Sequence, residues 1–307
     1  VSLSPIAAFA RAHDPDRFLA ALFAPPEKRE AIFTLIAFNH ELARAREAAS
    51  HPMAALIRLQ WWRDAVGEAR QGKPARRHEV AEPLHAAITA GALDAPALEA
   101  MIDARDAEAE EAGIPTEADF VAWLRGTAGG FAYAAGLALG GSVEDAEKLR
   151  ALGAAYGLAG VLRSVGAHAA QGRCLLPLDQ LAAAGLNAEA VISAPTAPAL
   201  AALCAEMAAE GLEALRSAPR DVPKGLMAAA LPVVLAARDL RRIAAGRVVP
   251  MPRGVVDRVA VIWAGWWGGG GGGGGEAAPN AVGETIGFSE FLFARGWAYG
   301  RIGAWLT

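Results

Sequence analysis

Residues 26–50 read PEKREAIFTLIAFNHELARAREAAS. Pro26 follows Pro25 and precedes Glu27, which suits the first turn of a helix, where proline loses no hydrogen bond and a carboxylate meets the positive end of the dipole. From there Ile32, Ile36, His40 and Arg44 recur every fourth residue, so they share one ridge of a helix running from Glu27 to about Ser50. A strand would alternate its faces every second residue instead. Asp14 and Pro15 open an earlier helix in the same way. Outward along the chain, the spacing predicts helices at about 52–71, 80–90, 95–112, 117–139, 143–170, 197–217, 224–245 and 255–267. Clusters of β-branched residues bounded by turns are almost missing. The predicted class is all-α, a single large helical bundle over residues 1–267 with no internal linker.

Composition narrows the function. Of 307 residues, 54% are hydrophobic and 20% charged, enough apolar surface for one large core and against disorder as the main state. The net charge of -4 gives no global attraction to nucleic acid. The longest apolar runs, 127–141 and 225–237, fall short of the roughly 20 residues a membrane span needs, and Pro232 interrupts the second. Cys174 and Cys204 form no disulfide framework, and residues 1–17 show no secretory leader pattern. The expected compartment is the cytoplasm, with the inner face of the membrane as the place of any peripheral contact.

Two segments break the pattern. Between Asp94 and Asp119 nine carboxylates face Arg105 alone, with Glu82 just upstream, and the expectation is a solvated helix face. Gly268 to Gly275 is an octaglycine, expected to be a flexible tether because each glycine costs a helix about 1 kcal/mol relative to alanine. The tail, 276–307, crowds Phe288, Phe291, Leu292, Phe293, Trp297, Tyr299, Ile302, Trp305 and Leu306 together. It is expected to form a short helix docked in a groove.

Four strings carry a resemblance: IFTLIAFNHELARAREAA (32–49), LIRLQWWRDAV (56–66), FVAWLRGTAGGFAYAAGLALG (120–140) and YGLAGVLRSVGAHAAQGRCLLPLDQL (156–181). With the order of helices they resemble the squalene/phytoene synthase family of all-α isoprenoid enzymes over residues 10–267. The resemblance implies a bundle of the isoprenoid-synthase type. It also implies two aspartate-rich motifs that face each other and hold magnesium on a prenyl diphosphate. Carboxylates at i and i+4 lie on one helical face, and hard oxygen ligands suit magnesium.

In this chain the resemblance sets the first motif at His40-Glu41-Leu42-Ala43-Arg44 and the second at Ser164-Val165-Gly166-Ala167-His168. The four expected aspartates have become His40, Arg44, Ser164 and His168. Imidazole binds magnesium poorly, guanidinium cannot bind a cation, and a serine hydroxyl is a weak substitute for carboxylate. Glu41 stands one residue off the required face. These five are vestigial active-site positions, with no catalytic residue and no metal or other cofactor expected. Arg44, Arg46, Arg163 and Arg173 are candidates to clamp a phosphate or carboxylate, against a plainer reading in which they pair with nearby acids. Trp61 and Trp62 read as core plus rim, and Gly126, Gly129, Gly130 and Gly136 as close-packing positions. Ser164 with His168 has neither a nucleophile elbow nor an acid to orient the imidazole, which argues against serine hydrolase chemistry.

The FNHELAR string resembles most the aspartate-deficient branch of the family, which includes a mitochondrial assembly factor for respiratory complex I. What this implies is a non-catalytic protein that works by binding a protein partner, such as complex I components. A rival reading is a prenyl transferase joining two isoprenoid diphosphates head to head, its magnesium held by Asp64, Glu68, Asp103 and Asp106. A third is an isoprenoid or lipid carrier.

Overall fold

The computed structural model describes residues 3–47, 49, 51–109, 113–218, 221–247, 249 and 253–269. Helices α1 (Pro5–His13), α2 (Pro15–Ala21), α3 (Pro26–Glu47), α4 (Pro52–Arg70), α5 (Ala81–Thr89) and α6 (Ala95–Asp103) form the first half. A 3-10 turn, Asp106–Ala109, leads into α7 (Glu117–Gly126), α8 (Ala128–Ala138), α9 (Val143–Arg163) and α10 (Val165–Ala170). There follow α11 (Leu178–Ala183), α12 (Ala188–Ser193), α13 (Pro198–Ser217), a 3-10 turn at Lys224–Leu226, α14 (Met227–Ala230), α15 (Pro232–Ala244) and α16 (Val255–Gly269). No strand occurs among the described residues, so the all-α class is the observed one.

Local chemistry accounts for the helix starts. Asp14 accepts from the Arg17 amide, Thr116 from Asp119 and Asn187 from Ala190, each satisfying an orphan donor of a first turn. Ser142 and Asp145 form a reciprocal capping box ahead of α9. One contiguous apolar core runs from Ile6 in α1 to Ala264 in α16. At its centre α9 packs against α7, α8, α13 and α15, while α8 packs against both α3 and α9.

The sequence reading of 143–170 as one helix is corrected. Ser164 leaves helical geometry at φ -102° and ψ 10°, its amide shared between the Gly160 and Val161 carbonyls, and α10 restarts one residue later. Helix 117–139 is likewise two. At Thr127, φ -88° and ψ -85°, the hydroxyl donates to the Trp123 carbonyl at 2.7 Å and competes with the helical ladder. Helix 95–112 ends at Asp103 and helix 224–245 is divided into three short pieces. Helices α1, α11 and α12 were not predicted. Gly268 and Gly269 continue α16, so the tether does not begin at the first glycine. The rest of the octaglycine and the whole tail, 270–307, lie outside the described residues, as does the docked-tail expectation.

Glycine sets how closely α8 and α9 approach. A Cβ on Gly153 would lie 2.6 Å from the Ala128 carbonyl oxygen and 3.0 Å from the Gly129 Cα, and one on Gly136 would lie 2.6 Å from Leu149 Cδ1. Of these neighbours, backbone cannot swing aside. Gly153→Val is therefore expected to lower the unfolding free energy by roughly 2–3 kcal/mol through overpacking. Gly160 in the same helix has open space within 4 Å, and Gly160→Ala should be neutral or stabilising by up to about 1 kcal/mol. Urea denaturation of the two variants measures both; equal stabilities would show that the interface yields.

Candidate functional site

The predicted motif positions sit at the carboxyl end of α3 and around the α9–α10 break. His40 is half-buried, stacked on the His13 ring of α1 at 4.2 Å and edge-on to Phe9 at 5.6 Å. Its Nε2 is buried with no hydrogen-bond partner. Burial, then the neighbouring His13 and Arg44 charges, push the His40 imidazole down to about 4, against a weaker opposing pull from Asp14. The folded protein thus binds fewer protons than the unfolded chain between pH of about 6.5 and about 4, so stability is lost as pH falls through that window. A His40→Gln variant is expected to show a flatter acid limb there. Stability curves with parallel slopes for variant and parent would refute this.

Arg44 is half-exposed and sits 3.6 Å from the carboxylate of the partly buried Glu41. Arg46 donates to the Ala49 carbonyl at 3.2 Å. Across the bundle, Arg163 donates to Asp239 at 3.2 Å. Ser164 occupies the helix break, and the His168 amide bonds back to the Ser164 carbonyl at 2.9 Å. The His168 imidazole is shifted down by burial first and by Arg173 second, while Glu108 pulls the other way. His40 is thus grouped with His13 and Arg44, and His168 with Arg173 and Glu108.

The link between the two sides is Glu108, a residue assigned from sequence to a solvated face. That expectation is corrected: Glu108 is 7% exposed. Its carboxylate accepts from Arg105 at 2.6 Å and from the Trp123 indole at 3.1 Å, and Arg173 lies 3.6 Å away. Arg105 in turn donates to the buried Asn39, the residue before His40, at 3.3 Å. A chain of polar contacts therefore runs from α3 through the 3-10 turn to the residues after α10. Arg173 Nη2 and Arg105 Nε are buried without hydrogen-bond partners.

A second cluster was not predicted at all. Asp239, fully buried in α15, is gripped by both terminal nitrogens of Arg253 at 2.9 and 2.7 Å and approached by Arg163. Arg253 also binds Asp16 of α2 through Nε, and Arg238 and Arg242 hold the buried Asp257 at 2.7 and 2.9 Å. The available signal was Asp239 itself, the one carboxylate of α15, standing just past the apolar run among Arg238, Arg241 and Arg242. Its main partner, fourteen residues on in a loop, carries no local sign.

Between α2, α8 and α9 the interior is closed by an arginine. The Arg17 guanidinium carbon lies 4.3 Å from the Phe131 ring centre and 4.8 Å from that of Tyr156, with Asp14 at 2.9 Å. The space left there, bounded also by Leu152 and Val233, is about 10 Å³, the least that holds one water molecule. A larger open depression of about 630 Å³ lies elsewhere, among Arg70, Ile88, Leu93 and Leu137.

The carboxylates offered as a substitute magnesium set are already engaged. Asp64 and Glu68 face Arg76 at 3.5 and 2.6 Å, and Asp103 and Asp106 face Arg63 at 2.8 and 2.6 Å. Among the described residues no three His, Cys, Asp or Glu side chains converge as a metal-ligand group. Trp62 is buried at 4% exposure and Trp61 lies at the rim. Gly129, Gly130 and Gly136 stand at helix contacts rather than in a phosphate loop.

This architecture is the all-α isoprenoid-synthase fold. A dehydrosqualene synthase crystallised with ligand superimposes with a TM-score of 0.67 at 15% identity, covering 85% of this chain and 93% of that one. Squalene synthase HpnC from Alicyclobacillus acidocaldarius gives 0.63 at 17% identity over 78% and 92%. The squalene/phytoene synthase family model matches residues 10–258, and the chain belongs to that family. It is similar to NADH dehydrogenase (ubiquinone) complex I, assembly factor 6, of Bos taurus, 27% identical over 182 residues. The Homo sapiens protein is 26% identical over the same length. These matches cover 58% of this chain and 54% of each relative, so the chain spans about half the length of the curated relatives it matches.

Proposed function

We propose that this chain is a non-catalytic member of the squalene/phytoene synthase family that acts by binding protein partners in the assembly of respiratory complex I. The observation that carries the reading is the chemistry at the two motif positions. His40, Arg44, Ser164 and His168 stand where the family's carboxylates are expected, and Glu41 and Glu108 nearby are each held by arginine. A guanidinium next to a carboxylate satisfies its lone pairs and repels a metal cation. Similarity to the assembly factors supports the second half. In this reading the chain works from the cytoplasm, at the inner face of the membrane that carries the complex, and needs no cofactor. Arg17, filling the space between Phe131 and Tyr156, speaks against a carrier that houses an isoprenoid at that point.

Incubation with farnesyl and geranylgeranyl diphosphates plus magnesium tests the first half. The expected result is no chelator-sensitive pyrophosphate release above a heat-killed control and no coupled hydrocarbon product. Either signal would overturn the non-catalytic reading. Deleting the gene in its own host tests the second half: complex I activity and the assembled complex on native gels should fall, and the intact gene should restore both. Normal complex I in the deletion strain would remove the assembly role.

A further inference from the structure

Helix α16 is turned with its large apolar side chains outward. On its inner side, Asp257, Val261, Ala264 and Gly265 follow helical spacing and face the bundle, Gly265 against the Phe23 ring. On the outer side stand Val255, Val256, Val259, Ile262, Trp263 and Trp266, exposed by 75, 60, 52, 42, 44 and 73%. Apolar burial alone would rotate the helix the other way. The Asp257 ion pairs to Arg238 and Arg242 prevent it, because turning α16 over would break charge-assisted contacts at 2.7 and 2.9 Å and carry the Asp257 carboxylate away from both arginines. The outward patch is on the order of 600 Å², at the upper end of what monomeric proteins leave in water.

We propose that this face docks α16 on an anionic lipid bilayer surface, lying along the interface. Charge is the reason to choose that occupant. From Arg238 to Trp266 the exposed charged side chains among the described residues are Arg241, Arg247 and Arg258, while the two carboxylates, Asp239 and Asp257, are 0 and 2% exposed. A chain of net charge -4 thus concentrates exposed positive charge beside this apolar face. Valine, isoleucine and tryptophan beside arginine is the pattern of an interfacial helix, with the indoles at the headgroup level. A second copy of the chain would bring the same arginines together as like charges. No helix among the described residues is long and apolar enough to cross a membrane, which suits lying on it. The inference stands independently of whether the protein is a catalyst.

The test is sedimentation of the full chain with vesicles of phosphatidylcholine alone and of phosphatidylcholine mixed with phosphatidylglycerol. The parent is expected to pellet with the mixed vesicles and to be released by salt. Trp263→Ser with Trp266→Ser should weaken that binding at least about tenfold, and Arg247→Glu with Arg258→Glu should weaken it and flatten its salt dependence. All four positions are exposed, and unchanged thermal melts would confirm that the variants fold. The proposal is overturned if the parent ignores anionic vesicles, or if both double variants bind as the parent does, which would assign lipid binding to another surface. It is also overturned if the tryptophan variant abolishes a dimer in sedimentation velocity and leaves vesicle binding unchanged, which would assign the face to a second copy.

Discussion

Asp239→Ala is expected to destabilise the fold by about 3–5 kcal/mol, the range for removing one partner of a buried ion pair and leaving the other charge unpaired. The aspartate is fully buried, and its chief partner, Arg253, has a side chain only 5% exposed. Arg163 and Arg242, at 15 and 25%, approach the same carboxylate. Without Asp239 three guanidiniums remain in a poorly solvated space with Asp16 alone as counter-charge, beside the pairs that Arg242 makes with Asp257. The loss should be felt locally too. Arg253 lies in the segment leading into α16 and ties it to α2 and α15, so amide exchange in α16 should accelerate more than in α8. Asp103→Ala is the control: its pair with Arg63 is at the surface, the carboxylate side chain 64% exposed, and its removal should cost under about 1 kcal/mol. Urea denaturation decides the matter, and an Asp239→Ala protein as stable as the Asp103→Ala protein would show that the cluster contributes nothing of the kind described.

Arg17→Ala is the second large effect. The guanidinium is sandwiched between the Phe131 and Tyr156 rings and paired with Asp14 at 2.9 Å. Desolvated cation–π contact is worth about 2 kcal/mol. Asp14 loses a charge partner but keeps its N-cap bond from the residue 17 amide at 2.9 Å, which limits the penalty. The net expectation is a loss of about 3 kcal/mol, combining these terms with the void left behind. That void joins the existing space of about 10 Å³ and is walled mostly by Phe131, Leu152 and Val233. The apolar part of that wall should admit small apolar ligands, so benzene should raise the melting temperature of Arg17→Ala and leave the parent unmoved. Arg17→Met, which refills the space, should recover part of the stability and lose the benzene response. Equal benzene responses in parent and variant would mean that Arg17 does not close the interior.

The family membership and the missing carboxylates were legible in the sequence because both depend on short spacing. His40 to Arg44 and Ser164 to His168 are single helical turns, and residues one turn apart share a face whatever surrounds them. The acidic run was misread for a related reason. Glu108 differs from its neighbours in nothing local; it is buried because Trp123 and Arg173, from later elements, converge on it. What lowers the affinity of the His40 imidazole for protons includes His13 of α1, a helix that the sequence reading passed over.

What the sequence by itself determined is therefore the helical class, most helix starts and the loss of the metal-binding residues. Caps such as Asp14 and Ser142 act over three residues, and a missing carboxylate is missing in any fold. Only the tertiary structure decided the breaks at Thr127 and Ser164, the burial of Glu108 and Asp239, the closure of the interior by Arg17 and the outward turn of α16. The burial of both acids and the turn of α16 depend on partners from other elements, Arg253 for Asp239 and Arg238 for Asp257, and at the two breaks the bonds are local but nothing in the spacing marked them. Which face of a helix is buried follows from the sum of its contacts, and for α16 two ion pairs outweighed the apolar stripe that periodicity alone would have placed inside.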